Sequence, residues 1–217
     1  MERLITQTFS NVQTGIEVAA TLAFALSGVM EAARKKLDAV GVTVVASVAA
    51  FGGGTLRDVL LDRRPLFWIE HSWHVWLVLG LCVAAMWLMR ARHFRPTSQS
   101  IQWPDALGLG LFAASGTQIA LDLSMPALIA VLMGVITATF GGVLRDIVCN
   151  EIPTAFSDHH PYAVCAFAGG WLVVGLQALA VDATLSLACG AGLATLMRLA
   201  ALHWGWQLPA WKVGDEA

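Results

Sequence analysis

The sequence predicts an all-α membrane protein with seven transmembrane helices, arranged as two inverted three-helix repeats plus a seventh helix. The first observation is composition: 57% of the 217 residues are hydrophobic, 13% are charged, and the mean hydropathy is +0.68. Soluble domains average about 45–50% apolar and about 25% charged residues. The second is a series of apolar runs of about 20 residues, the length that a helix needs to cross a bilayer. The third is a sequence repeat with an offset of 88 residues.

Seven apolar runs follow one another with short connections, and each is predicted to span the membrane. They lie at about 14–33, 40–60, 73–90, 104–122, 126–148, 161–181 and 184–202. The longest polar connection, residues 90–103, is interpreted as a linker between two halves. The chain is therefore expected to form one membrane domain, with a first repeat at about 14–95, a second at about 102–181 and a seventh helix at about 184–202.

The distribution of Lys and Arg predicts the orientation, because cytoplasmic loops hold the excess of these residues. With seven spans, the segments after the first, third and fifth spans lie on the same side as the C-terminus. The basic residues on that side are Arg34, Lys35, Lys36, Arg90, Arg92, Arg95, Arg145, Arg198 and Lys212. Those on the opposite side are Arg3, Arg57, Arg63 and Arg64. We therefore expect the N-terminus outside and the C-terminus in the cytoplasm.

The same composition argues against several functions. A net charge of −2 and a pI near 6.3 provide no basic surface for nucleic acid. The four cysteines, at positions 82, 149, 165 and 189, occur singly and lack the spacing of a metal site or a disulfide framework. The sequence has no nucleophile–base constellation, phosphate-binding loop or zinc-protease motif. We therefore expect no enzymatic activity.

Histidines cluster before the third and sixth spans, on opposite faces of the membrane in the predicted topology. They are His71, His74, His159 and His160. The two clusters cannot form one metal site within a protomer. Interfacial hydrogen bonding is the favoured interpretation, with pH modulation as the alternative.

The repeat is clearest where Leu56-Arg57-Asp58 aligns with Leu144-Arg145-Asp146. The same offset also matches Phe24 with Phe112, Ser27-Gly28 with Ser115-Gly116, Gly53-Gly54 with Gly141-Gly142, and Pro65 with Pro153. Each unit contains three spans, and an odd number forces successive units into opposite orientations. In this architecture interrupted helices meet near the membrane midplane and form a substrate or ion site. The alternative is a duplication kept only for packing.

Glycine clusters lie inside two of the predicted spans. Gly52, Gly53 and Gly54 lie in the second span, and Gly141 and Gly142 lie in the fifth. Each glycine costs a helix about 1 kcal/mol relative to alanine. The clusters either permit close helix packing or kink the helix and free carbonyls that suit partly dehydrated monovalent cations. Their occurrence in both repeats favours the kink.

An Arg-Asp pair follows each glycine cluster, and a charge at the centre of a transmembrane helix costs about 2.5–3.5 kcal/mol. Adjacent helix positions point about 100° apart, so direct pairing within Arg57-Asp58 or Arg145-Asp146 is not expected. We predict pairing across the repeats, Arg57 with Asp146 and Arg145 with Asp58. The alternative is that both pairs lie at span ends and extend to opposite surfaces.

Hydroxyl side chains complete the candidate ion pathway. Ser27 and Ser115 each precede a glycine in the middle of a span, where pore lining and simple packing are equally consistent with the sequence. The candidate pathway residues are Ser27, Gly52, Gly53, Gly54, Thr55, Arg57, Asp58, Ser115, Gly141, Gly142, Arg145 and Asp146.

These motifs resemble those of the bacterial branch of the trimeric intracellular cation (TRIC) channel family, also known as a putative glycine transporter family. The resemblance covers both repeats, about 14–180, and the seventh helix extends it to about 202. It implies a homotrimer in the bacterial inner membrane, with a pore in each protomer lined by glycine-kinked second and fifth helices. It also implies passive conduction of potassium with some sodium, a lipid partner, and no cofactor beyond permeant ions and bound lipid.

Two functions remain open on the sequence. In a channel, carbonyls and hydroxyls would replace part of the hydration shell of the ion. In a secondary transporter of glycine or a similar small zwitterion, an arginine would bind the substrate carboxylate and an aspartate its ammonium group. A structural scaffold is disfavoured by the charges and paired glycines within the spans.

Overall fold

The computed structural model describes residues 2–91, 96–157 and 159–209, and within these ranges the chain is helical without strands. The helices are α1 (Glu2–Arg34), α2 (Ala39–Leu60), α3 (Phe67–Glu70), α4 (Trp73–Ala91), α5 (Ser98–Asp122), α6 (Ala127–Val148), α7 (Thr154–Ser157), α8 (Ala163–Ala178) and α9 (Ala183–Trp204). Among these described residues, four helical segments are long and apolar enough to cross a membrane: Val12–Arg34, Ala39–Leu60, Ala127–Val148 and Ala183–Trp204. Trp73–Met89 and Ala163–Ala178 are shorter apolar helices. The prediction of an all-helical membrane protein is therefore confirmed.

Two helices begin earlier than the apolar runs indicated. Helix α1 starts at Glu2 rather than near residue 14, because the helix continues through the polar residues that precede the apolar run. Helix α5 starts at Ser98 rather than at 104, because Thr97 and Ser100 form a reciprocal capping box, and Pro104 lies inside the helix. The predicted linker 90–103 is therefore shorter than expected. Its residues 92–95, with Arg92 and Arg95, and the C-terminal Lys212 lie outside the described residues.

The two repeat segments have matching secondary structure at the offset of 88 residues. Helices α2 and α6 have both ends displaced by that offset, and α1 and α5 end at equivalent positions. The turns that follow are equivalent too. Lys36 and Ser124 have φ angles of 58° and 59°, and Asp62 and Asn150 have φ angles of 51° and 56°. The sequence repeat thus extends to the conformation of individual turn residues.

Helices α1, α2, α5 and α6 pack through reciprocal contacts between equivalent residues. The rings of Phe24 and Phe112 stack with centroids 5.6 Å apart. A Cβ on Gly53 would lie 2.0 Å from the carbonyl oxygen of Thr137, and one on Gly141 would lie 2.4 Å from that of Ala49. Small residues at such crossings let two helix backbones approach closely.

The glycine clusters do not break their helices, and a kink at these glycines stays a prediction. Helices α2 and α6 run without a break through 52–54 and through 141–142. Gly53 and Gly141 permit the close approach of α2 to α6, because a Cβ at either position would meet a backbone carbonyl of the partner helix. The packing alternative therefore accounts for one glycine of each cluster.

Candidate functional site

Two polar cavities open at different ends of the helix bundle. The first cavity, about 290 Å³, is lined by polar side chains that include Thr14, Glu17, Arg63, Glu70, His71, His74 and Asp122. The second cavity, about 230 Å³, is lined by residues that include Glu31, Arg34, Gln102, Asp105, Arg145, Asp146, Glu151 and Arg198. Such polar recesses are unusual in a chain that is otherwise so apolar, and they mark the candidate site.

The cavities lie at opposite ends of α5 and of the apolar part of α1, Val12–Arg34. Glu17 of α1 lines the first cavity and Glu31 of the same helix lines the second. At a rise of 1.5 Å per residue, these two positions are separated by about 20 Å along the axis. In α5 the order is reversed, since Asp105 lines the second cavity and Asp122 lines the first. Helices α1 and α5 therefore run between the cavities in opposite chain directions.

A charged cluster, Glu17, Arg57 and Asp58, lies beside the first cavity and is here called the first cluster. The Arg57 guanidinium donates from Nε to Asp58 Oδ1 (2.9 Å) and from Nη1 to Glu17 Oε1 (2.9 Å). Asp58 Oδ2 accepts the backbone N–H of Phe67, the first residue of α3. Both Arg57 and Asp58 are fully buried. The turn between α2 and α3 thus fixes the aspartate, and the aspartate fixes the arginine.

The equivalent residues beside the second cavity, Asp105, Arg145 and Asp146, form the second cluster. Arg145 donates from Nε to Asp146 Oδ1 (2.8 Å) and from Nη1 to Asp105 Oδ1 (2.6 Å). Nη1 also donates to Ser27 Oγ (2.9 Å), which links the second repeat to the first. Asp105 Oδ2 accepts the hydroxyl of buried Tyr162 at 2.8 Å.

The predicted pairing of Arg57 with Asp146 and of Arg145 with Asp58 is wrong. Each arginine pairs with the aspartate that follows it in sequence. The long guanidinium side chain bends back to reach its neighbour, and its remaining donors reach an acid on α1 or α5. The expectation from the 100° separation considered only the directions of the Cα–Cβ bonds and ignored the length of the arginine side chain.

Each cluster carries an excess of negative charge in formal terms. Within each cluster one guanidinium faces two carboxylates, Glu17 and Asp58 in the first and Asp105 and Asp146 in the second. Outside the first cluster, Arg63 Nη1 also lies 3.8 Å from Asp58 Oδ1. At the mouth of the second cavity Glu151 pairs with Arg34 and Lys35, and the Lys35 ammonium holds the pKa of the Glu151 carboxyl below its usual range. The arginines therefore do not make either cavity cationic.

The remaining predicted pathway residues fall in different places. Ser27 contacts the second cluster through Arg145, while Ser115 is buried and its Oγ has no hydrogen-bond partner in the described part of the chain. A Cβ on Gly142 would lie 3.1 Å from the hydroxyl oxygen of Tyr162. Gly52 and Thr55 line an apolar groove on the other side of α2, and Thr55 accepts a hydrogen bond there from the indole of Trp68. These two lie outside both cavity linings.

Gly54 packs against an aromatic ring rather than against the partner helix. A Cβ at this position would lie 2.5 Å from the ring of Phe67. The glycine thereby lets the ring of Phe67 lie against α2, near the first cluster.

Sequence analysis missed Glu17 and Asp105 as the third members of the clusters, and it missed Tyr162. The signal was present in the repeat, because the offset of 88 residues places Glu17 on Asp105 and both are acidic. An acidic residue conserved between the two halves of an apolar chain is a good candidate partner for a buried arginine.

Comparison with known proteins identifies relatives over nearly the whole chain. Residues 15–90 and 102–178 match a family model described as Glycine transporter. A UPF0126 membrane protein of Vibrio cholerae is 38% identical over 198 residues, which cover 91% of this chain and 82% of the relative. The UPF0126 inner membrane protein YadS of Escherichia coli is 31% identical over 202 residues, which cover 93% of this chain and 97% of the relative.

Solved structures give the same result. A TRIC trimeric intracellular cation channel orthologue from Rhodobacter sphaeroides has a TM-score of 0.83 and 36% identity, covering 90% of this chain and 99% of that one. A structure described for conductance through TRIC cation channels has a TM-score of 0.80 and 29% identity, covering 92% and 97%. These structural relatives are channels, and this protein is not an enzyme. The two segments matched by the family model coincide with the two halves of the repeat, and the chain belongs to the TRIC family of multi-pass membrane proteins.

Proposed function

We propose that this protein is a monovalent cation channel of the bacterial inner membrane, conducting mainly potassium with some sodium. The proposed pathway runs within the protomer from the first cavity, past the two clusters, to the second cavity. The kinship with TRIC cation channels supports this proposal.

The observation that carries the proposal is the pair of polar cavities, each bordered by a cluster with more carboxylates than guanidinium groups. A low-dielectric wall strengthens the effect of such charges on nearby ions. An excess of carboxylates favours cations over anions at both ends of the pathway. Buried arginines in a cation pathway are then compatible with the function, because each is neutralised by its own cluster.

The conformation described here is a closed one in this proposal. The two cavities have no lining residue in common, and the arginines of both clusters, Arg57 and Arg145, are buried. The Phe24–Phe112 stack and the Arg145–Ser27 hydrogen bond join the two repeats in the same region. Conduction therefore requires these contacts between the repeats to loosen.

The proposal includes seven spans, with the two repeats inverted relative to one another. The opposite chain directions of α1 and α5 between the cavities support the inversion, as do the reciprocal contacts of Gly53 and Gly141. In this arrangement the N-terminus and the first cavity face outward, and the second cavity faces the cytoplasm. The proposal also includes a homotrimer with one pathway per protomer, because the Rhodobacter sphaeroides relative is described as trimeric.

Transport of glycine is the second candidate, favoured by the description of the family model. It would require an arginine that can bind the substrate carboxylate. In both clusters the guanidinium is already engaged by two carboxylates, so a substrate would have to displace one of them. This occupancy supports the channel over the transporter.

The deciding experiment is single-channel recording from purified protein in planar bilayers under a potassium gradient, followed by addition of glycine. We expect discrete openings that reverse near the potassium equilibrium potential and do not change with glycine. Silent bilayers together with uptake of labelled glycine into proteoliposomes would contradict the channel and support the transporter.

A further inference from the structure

His74 and Tyr162 occupy equivalent positions in the two repeats, separated by the offset of 88 residues. Both are buried, with 2% of each residue exposed. The hydroxyl of Tyr162 donates a hydrogen bond to Asp105 of the second cluster. The residue equivalent to Asp105 is Glu17, and Glu17 and His74 line the first cavity together. A hydroxyl donor in one half is thus replaced by an imidazole in the other.

The hydrogen bonding of His74 fixes which ring nitrogen carries the proton. Nδ1 lies 2.9 Å from the carbonyl oxygen of His71. A carbonyl oxygen can only accept, so Nδ1 is the protonated nitrogen and Nε2 of the neutral ring holds a lone pair. Nε2 is buried and has no hydrogen-bond partner among the residues that the structure describes. A buried acceptor without a donor is costly, and binding a proton would convert Nε2 into a donor.

Charged groups around His74 come from each element that packs near it. The acidic groups are Glu17 of α1, Asp58 of α2, Glu70 of α3 and Asp122 of α5. The basic groups are Arg57 of α2 and Arg63 of the turn that follows it. A second histidine, His71, precedes α4. Four carboxylates thus oppose two guanidinium groups in formal terms. An imidazolium at position 74 would therefore be surrounded by a formal surplus of negative charge.

We propose that His74 is a proton-binding site that controls the first cluster. A proton taken up from the first cavity binds Nε2, which then donates to Glu17 as the hydroxyl of Tyr162 donates to Asp105. The imidazolium competes with Arg57 for Glu17 and adds a positive charge beside the cation pathway. The tyrosine hydroxyl keeps its proton throughout the physiological pH range, so the second cluster lacks this response.

The effect on conduction rests on the proposed channel function, and it predicts a response to acid from one side only. The test records potassium current while one bath at a time is acidified from about pH 8 to about pH 5, the range in which histidine titrates. We expect the current to fall several-fold when the bath facing the first cavity is acidified, and to change little when the other bath is acidified. An equal response from both sides would overturn the proposal.

Two exchanges between the repeats sharpen the test. His74→Tyr installs the permanent hydroxyl donor and is expected to abolish the response to acid. Tyr162→His is expected to create a response to acid from the bath facing the second cavity. His71→Gln is the matched control, because it removes a neighbouring histidine of the same cavity, and it should keep the wild-type response. Retention of the response in His74→Tyr would overturn the proposal.

A second readout does not depend on conduction. Nitrogen-15 spectra of histidine-labelled protein in detergent should show His74 as the Nδ1-protonated tautomer at high pH, gaining a proton at Nε2 on acidification. Glu17→Gln should shift this titration to lower pH, because it removes the carboxylate partner. A His74 signal that does not titrate, or is unaffected by Glu17→Gln, would refute the proton site. A silent bilayer together with the expected titration would refute only the channel.

Discussion

Arg57 and Arg145 illustrate how single residues are accommodated in an apolar bundle. Each guanidinium is buried, and each is paired with an adjacent aspartate and with an acid from a different helix. Isolated charges would be very costly in such surroundings, whereas paired and hydrogen-bonded ones are tolerated. The aspartates are in turn held by backbone N–H groups of Phe67 and Thr154, so each cluster is fixed at its outer end.

Neutralising one member of the second cluster is expected to destabilise the protein. Asp105→Asn removes one of the two carboxylates that face Arg145, and breaking a buried ion pair costs about 3 kcal/mol. We expect a clearly lower melting temperature of the purified protein in detergent. Asp62→Asn is the matched control, because Asp62 is exposed and asparagine also adopts its left-handed φ of 51°. Equal melting temperatures for the two variants would contradict the structural role of Asp105.

For single residues, the sequence predicted which side chains carry the buried charges, but it did not predict which groups they pair with. The repeated Arg-Asp motif identified Arg57, Asp58, Arg145 and Asp146, and all four lie in the clusters. Which oxygen a guanidinium reaches depends on side-chain torsions and on the packing of α1 against α2 and of α5 against α6. Those are tertiary quantities that spacing in one chain does not determine.

At the scale of elements, the glycines of α2 and α6 set the distance between the repeats. The hydrogen-bonded backbone continues through Gly53 and Gly141, and each glycine faces a carbonyl oxygen of the other helix. The apolar runs predicted α2, α6 and α9 to within two residues at each end. They did not predict the start of α5, since Thr97 and Ser100 act through a local capping box that hydropathy does not detect.

A methyl group at this crossing is expected to be harmful. In Gly53→Ala the new Cβ would lie 2.0 Å from the carbonyl oxygen of Thr137, and backbone atoms cannot move aside as a flexible side chain can. We expect a loss of about 1–3 kcal/mol, typical of overpacking, measured as a lower melting temperature in detergent.

Gly80→Ala is the matched control for this substitution. Gly80 lies within α4 and a Cβ there would meet nothing within 4 Å. The alanine should be neutral or stabilise the helix by about 0.5–1 kcal/mol. If Gly53→Ala were as stable as Gly80→Ala, the glycine would not be required for the approach of α2 to α6.

For the whole molecule, the two cavities define two ends that the proposed topology assigns to opposite sides of the membrane. In that proposed topology, which rests on the excess of Lys and Arg, the second cavity faces the cytoplasm. Exposed Glu70 lines the first cavity and exposed Glu151 lines the second, so they report on the two ends.

Thiol labelling tests this orientation. In a variant whose four cysteines are replaced by alanine, Glu70→Cys should react with a membrane-impermeant maleimide in intact spheroplasts. Glu151→Cys should react only after the membrane is permeabilised. The opposite pattern would reverse the orientation, and labelling of both in intact cells would contradict the separation of the two ends.

The stacked pair Phe24 and Phe112 has a consequence for how such a molecule could have arisen. On the proposed two-fold relation these rings meet across the axis, as identical residues of two separate chains would in a symmetric ancestral dimer. In such a dimer one gene specifies both mouths, and every substitution changes them together. Fusion into a single chain removes that constraint. Equivalent positions, such as those of His74 and Tyr162, can then be substituted separately. The two cavities can thereby evolve different responses to the environment while the symmetric packing of the helices is kept.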